Sequence, residues 1–147
     1  MNRIDAKNEI FAAATTGWNA AMPAIVGTNH ELRYYGIKYQ TEVPVTKFWG
    51  RLSIQTVMEE QTTLRNSTGK RYTSYGTMIL VLFVPTIEAQ AATKLDQIAE
   101  ALRNIFRVCT PADNVQFARA RINDNIDPEA AWLRANVIAE WQYDQIV

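Results

Sequence analysis

Only one histidine, His30, and one cysteine, Cys109, occur in the chain, so the side chains that most often do chemistry have few partners. His30 stands in a polar run between Asn29 and Glu31. With no second histidine or thiol at metal-ligand spacing, a zinc site and a histidine-based triad are both disfavoured, and His30 is expected to be a plain surface residue. Cys109 falls near the end of an apolar helical stripe, where a cysteine is more often a small buried hydrophobe than a nucleophile. Ser67-Thr68-Gly69-Lys70 resembles a fragment of a phosphate-binding loop. It lacks the upstream glycine and the following serine or threonine, so it is set aside. Asn123, Asn125 and Asp127 alternate as the first ligands of a calcium loop do, but Pro128 stands where the loop needs glycine and Arg134 where it needs a bidentate glutamate. The adjacent Glu59 and Glu60 point to opposite sides of an extended chain, which argues against a paired acid and base. No catalytic residue, metal or cofactor is expected.

What remains is a population of aromatics and arginines. Trp49, Tyr72, Tyr75, Trp132, Trp141 and Tyr143 lie on or beside expected strands, as do Arg51, Arg71, Arg119, Arg121 and Arg134. Tryptophan, tyrosine and arginine are the residue types that concentrate at protein interfaces. The plain alternative is that the aromatics fill a monomer's core.

The elements that position them are organised around Met78 to Val84, a wholly apolar run closed by Pro85. In an extended segment such a run places large groups on both faces of a sheet, so both faces need cover. A helix beginning near Glu88 can cover one of them, because Ala91, Leu95, Ile98, Leu102, Ile105 and Phe106 form one stripe. A first helix is expected from about Ile4 to Ala21, capped by Asn2 or Asp5 and stopped by Pro23 and Gly27. Gly17 weakens it by about 1 kcal/mol relative to alanine. Strands are expected over 46–58, 71–84, 115–122 and 132–146, with a turn at 123–128. Residues 28–42 read as either a short strand or an ordered loop. The polar stretch from Glu59 to Lys70 is longer than hairpin turns usually are, and loops of that length are commonly functional or disordered.

Composition bounds the rest. At 147 residues, 48% hydrophobic, with 15 basic and 15 acidic side chains, the chain reads as one ordinary globular domain. Zero formal net charge argues against a surface built mainly for nucleic acid and offers little repulsion against self-association. A single cysteine excludes an internal disulfide. No signal peptide or membrane-length apolar run is present, so a cytoplasmic protein without a membrane partner is expected. The fold class expected is α+β: a four-stranded, mainly antiparallel sheet with two helices packed on one face, in the order α-β-β-α-β-β, as a single domain over residues 1–147.

That order resembles the tail terminator and tail-completion proteins of long-tailed bacteriophages. The resemblance is carried by Trp49-Gly50-Arg51-Leu52-Ser53-Ile54, by Tyr75-Gly76 leading into Met78 to Val84 and Pro85, by the alanine-rich helix from Glu88 to Phe106, and by Trp141-Gln142-Tyr143-Asp144. It implies a structural virion protein, a ring, hexameric in that family, that caps the tail tube, ends its polymerisation and meets the head-side connector. The implied partners are further copies of the chain, the tail tube protein and a connector or neck protein, with DNA passing through the lumen unread. The implied place is the virion tail, reached from the host cytoplasm during assembly. The surface expected to make subunit or partner contacts comprises Trp49, Arg51, Glu59, Glu60, Arg65, Lys70, Arg71, Tyr72, Tyr75, Trp132, Arg134 and Trp141. Two rivals stand beside it: a head-completion or neck protein of the same virion, and a small ligand-binding α+β domain, which requires a deep pocket with convergent polar groups.

Overall fold

The computed structural model describes residues 2–62, 69–112, 115–129 and 131–146, with 125–129 by their backbone alone. Helix α1 spans Arg3–Val26. Asn2 caps it, its Oδ1 accepting from the Asp5 amide at 2.9 Å, which satisfies one of the orphan first-turn donors. The helix runs through Pro23 rather than stopping before it, because Met22 is fully buried and Ile25 and Val26 pack against the core. It ends at Gly27, whose positive φ of 66° lets its amide reach the Pro23 carbonyl.

Five strands follow where four were expected: β1 His30–Tyr34, β2 Phe48–Gln61, β3 Arg71–Pro85, β4 Val115–Glu129 and β5 Trp132–Ile146. Helix α2, Ala91–Val108, lies between β3 and β4 in the chain. The sheet order is β1-β2-β3-β5-β4. The added strand comes from the ambiguous 28–42 segment and pairs parallel with β2, from His30↔Phe48 to Tyr34↔Leu52. The sheet is therefore mixed, and the element order is α-β-β-β-α-β-β. A parallel neighbour needs a crossover; here residues 35–47 supply it without a helix, which is why neither periodicity nor length announced the strand. The expected turn at 123–128 is also displaced. Its polar residues continue the β4–β5 ladder through Asn125↔Arg134, and Glu129 pairs with Trp132 after a register shift. Turn composition yields here to a long hairpin pairing, with Pro128 tolerated because β4 is an edge strand.

Both helices lie on one side. On that side Met78, Leu80, Leu82 and Val84 of β3 and Ala135, Val137, Ala139, Trp141 and Tyr143 of β5 meet Ile10, Ala14, Trp18 and Met22 of α1 and Leu95, Ile98, Leu102 and Phe106 of α2. Gly17, read from sequence as a weak point, has a packing role: a Cβ there would stand 3.1 Å from Ile105 Cγ2 and 3.3 Å from Phe106 Cε1. Its absence brings the helices together. His30 is half-buried, not a plain surface residue, and its Nδ1 accepts from Trp18 Nε1 at 3.0 Å.

Two outcomes test this packing. At Gly76 a Cβ would lie 2.0 Å from the Gln55 carbonyl oxygen and 2.2 Å from Trp141 Cζ2. Gly76→Ala is therefore expected to lower unfolding free energy by at least the ~1–3 kcal/mol typical of overpacking, read by urea denaturation. Burial, with the nearby Lys47 charge, lowers the pKa of His30, and the Trp18 bond needs the neutral ring. The unfolded chain then binds more protons, so this contribution is complete above the ordinary histidine pKa and falls as pH drops below it. A His30→Gln variant should lack that acid-side loss in unfolding titrations.

Candidate interaction face

Among the described residues, no helix lies over the side of the sheet away from α1 and α2. Because paired residues share a face, the β2–β3 and β3–β5 registers put Trp49, Phe83 and Arg134 on this side in one row. Arg51, Val81 and Asn136 form the next row, then Ser53, Ile79 and Ile138. The first row is a second, smaller apolar cluster. Trp49 stacks on Phe83 with centroids 4.0 Å apart and planes 7° from parallel. Trp132 meets both edge-on, at 5.7 Å and 6.3 Å, and the Arg51 guanidinium stands 5.4 Å over the Phe83 ring. Such aromatic pairs are worth about 0.5–1.5 kcal/mol each beyond their burial. The result is that Phe83 is only 1% exposed on a face without helices.

The chain supplies part of the cover itself. The 35–47 crossover brings Val43, 7% exposed, beside Trp49 and Trp132, and Trp132 Nε1 donates to the Lys47 carbonyl at 3.3 Å. Arg33 anchors the crossover by donating to the Thr41 carbonyl at 2.7 Å, and its guanidinium stacks over Tyr39. The Tyr39 hydroxyl accepts from the Tyr34 amide at 2.8 Å, satisfying a donor on the outer edge of β1. Between crossover and sheet a cleft of about 460 Å³ remains, lined by residues including Tyr35, Ile37, Val43, Trp49, Arg51 and Trp132. Trp49 Nε1 is buried there without an acceptor. The chain's own crossover thus covers one end of this face.

The other end of the face is an arm. Beyond a bulge between Thr56 and Met58, the side chains of β2 change sides, so Met58 pairs with Tyr75, and Glu60 with Thr73, on the helix-free face. Glu59 turns to the helix side and accepts from Ser74 Oγ at 3.0 Å. Glu60 accepts from the Tyr75 hydroxyl at 3.2 Å. Arg71 forms an ion pair with Asp144, which also accepts from Thr73 Oγ1 at 2.7 Å. The Arg71 hydrogen bond, seconded by Thr73, holds the Asp144 carboxyl below its usual range against the opposing effect of burial.

The sequence-derived surface therefore divides into two groups. Trp49, Arg51, Trp132 and Arg134 meet at the cluster; Glu60, Arg71 and Tyr75 lie on the arm, with Lys70 exposed at its far end and Tyr72 and Glu59 on its helix side. Arg65 lies outside the described residues. Trp141 is corrected: it is 1% exposed, in the helix-side core beside Tyr143, because its position in β5 shares parity with Val137 and Ala139. Phe83 was missed. Its signal was its place opposite Trp49, out of phase with the helix-side residues of the same apolar run. Among the described residues no group of three His, Cys, Asp or Glu side chains gathers as a metal site, and no helix is long and apolar enough to cross a membrane. Burial pushes the Cys109 thiol pKa up, which disfavours the nucleophilic thiolate.

Removing the keystone should be costly although no helix covers it: Phe83→Ala is expected to destabilise by about 3–5 kcal/mol, measured by chemical denaturation. A loss under 1 kcal/mol would mean that the cluster is ornamental.

No family model and no curated protein matches the sequence. Among solved structures, a chain 14% identical superposes with a TM-score of 0.61, over 93% of this chain and 94% of its own. Another, described as from the virion of a native gene transfer agent particle, is 16% identical with a TM-score of 0.44, over 91% and 93%. At that score the second likeness carries no structural argument. The first shows that this chain shares its α+β fold of two helices on a mixed five-stranded sheet with a protein of distant sequence.

Proposed function

We propose that this chain is a structural virion protein, a tail terminator that closes the tail tube as a ring and offers its other side to a head-side connector. The observation that carries the reading is the helix-free face, where Trp49, Trp132, Arg51 and Arg134 stand half-buried at one end and Tyr75, Met58 and Glu60 extend along an arm at the other. A half-covered row of tryptophan and arginine is the composition of an interface core. Two unlike patches on one subunit also suit a head-to-tail contact, which gives a ring when its rotation closes. The resemblance in element order supports the same assignment, with β1 as an addition to the order. The chemistry asked of the protein is then adhesion between subunits, to the last ring of the tube and to the connector, with no catalytic step.

The cleft beside Trp49 favours a second reading, a ligand-binding domain, since about 460 Å³ falls within the usual range of ligand pockets. In that case a metabolite library should contain a compound that raises the melting temperature strongly.

Electron micrographs of purified protein mixed with tail tubes test the first reading. Rings seated at one tube end, and tubes that no longer lengthen when tube subunits are added, are expected. Trp132→Ala, which truncates an interface aromatic, should weaken end-binding about 30-fold or more, the equivalent of a ~2 kcal/mol hot spot. Tubes that neither bind the protein nor change length in its presence would refute the assignment, and binding only to tail-less heads would transfer it to the neck.

A further inference from the structure

Strand β1 ends at Tyr34, but the strand beside it and the helix above it both run on. β1 pairs with β2 only from Phe48 to Leu52, and the next bond, from the Tyr35 amide to the Leu52 carbonyl at 2.8 Å, shows that Leu52 turns its carbonyl outward. In an antiparallel pairing such as β2 with β3, backbone groups point the same way at every second residue. The amide and carbonyl of Ile54 and the amide of Thr56 therefore also point outward, where no strand lies among the described residues. Natural edges are blunted by charge, proline or a bulge. Here the bulge between Thr56 and Met58, and the carboxylates of Glu59 and Glu60, come only farther along. Ser53-Ile54-Gln55-Thr56 carries neither charge nor proline.

Helix α1 follows the same line. Trp18 meets His30 with ring centroids 6.0 Å apart, and Phe11 meets Tyr34 at 5.5 Å, so the helix runs antiparallel to β1 and covers it at seven-residue steps. The next member of that stripe is Ile4. Seven helical residues span about 10 Å and four strand residues about 13 Å, which sets Ile4 near the level of Thr56, past the end of β1. There Ile4 is 72% exposed, while Trp18 on the same stripe is 1% exposed. Lys7, three residues after Ile4 and four before Phe11, lies beside both, with Arg3 one turn before it. Neither cation forms an ion pair among the described residues. Burial and the Arg3 charge lower the Lys7 pKa. The acids of these turns, Asp5 and Glu9, are exposed on the side of the helix away from the sheet. Glu59 is the acid of β2 on the helix side, beyond the bulge, where Ser74 donates to it.

We propose that this slot is a strand-addition site: an extended segment of a partner protein lies along Ser53 to Thr56 of β2, with a large apolar side chain beneath Ile4 and a carboxylate two positions away against Lys7 and Arg3. The proposal goes beyond the ring reading and does not depend on it. Backbone decides the class of occupant, because a row of outward amides and carbonyls is satisfied by another extended chain. Side chains decide its composition: Ile4 supplies an uncovered apolar contact, and the two cations outnumber Glu59.

A dye-labelled, capped peptide, Ser-Val-Thr-Asp-Thr-Val-Ser, is the probe, its pattern reading alike in both directions. Anisotropy should show binding to wild type, with hydrogen exchange slowed at the Ile54 and Thr56 amides. Ile4→Asp, on an exposed side chain, should weaken binding about tenfold, the loss of one ordinary interface contact, with an unchanged melting temperature. Lysine in place of the peptide's aspartate should weaken it as well. Methylating alternate peptide amides should abolish binding in one phase and spare it in the other, since a strand added at an edge uses one of its own two edges. No binding by wild type, equal binding in both methylation phases, or indifference to Ile4→Asp would overturn the site and leave the ring reading standing. Wild-type oligomers that dissociate on Ile4→Asp, with no peptide bound, would give the slot to a second copy and overturn the partner segment.

Discussion

Strand β3 sits between β2 and β5 and is apolar on both faces, and the rest of the architecture follows from having to cover it. Met78, Leu80, Leu82 and Val84 demand cover on one side; Ile79, Val81 and Phe83 demand it on the other. Two helices supply the first, with Gly17 drawing them together and Trp18 reaching down to the sheet where Gly50 leaves room. The second side has no helix, and the chain answers with an aromatic stack and a crossover segment at one end only. Burial energy is thus concentrated on the helix side and tapers along the other.

On the proposed reading, that asymmetry links stability to function. Phe83 is held as tightly as any residue of the main core, while Trp49 and Trp132, which hold it, are only half-buried. The same rings stabilise the monomer and present contact area, and the neighbouring Arg51 and Arg134 add the planar cations that aromatic surfaces favour. Farther along the face, polar pairing replaces packing: Asp144 with Arg71 and Thr73, Glu60 with Tyr75. Surface pairs of that kind contribute little to stability and mainly fix the orientation of the arm's side chains.

The amino-acid sequence by itself determined the two helices and the four long strands, because those rest on periodicities of three to four and of two over eight or more residues. The core stripe of α2 and the alternation of β5 stand in the structure as they stand in the chain. It also determined which residue types were left over for a surface. Tertiary pairing alone decided the rest. Strand β1 is five residues long, too short for a period, and exists because β2 offers it an edge. The polar residues from Asn123 onward extend β4 because β5 is there to pair with them. Nine positions along one strand already put Trp141 and Trp132 on opposite faces, but only the packed sheet decided that Trp141 lies beneath the helices and Trp132 in the open cluster. The bulge in β2 then turns Met58 and Glu60 to that open side. A residue's side of the sheet depends on register, and register is a property of two strands, which no single stretch of sequence contains.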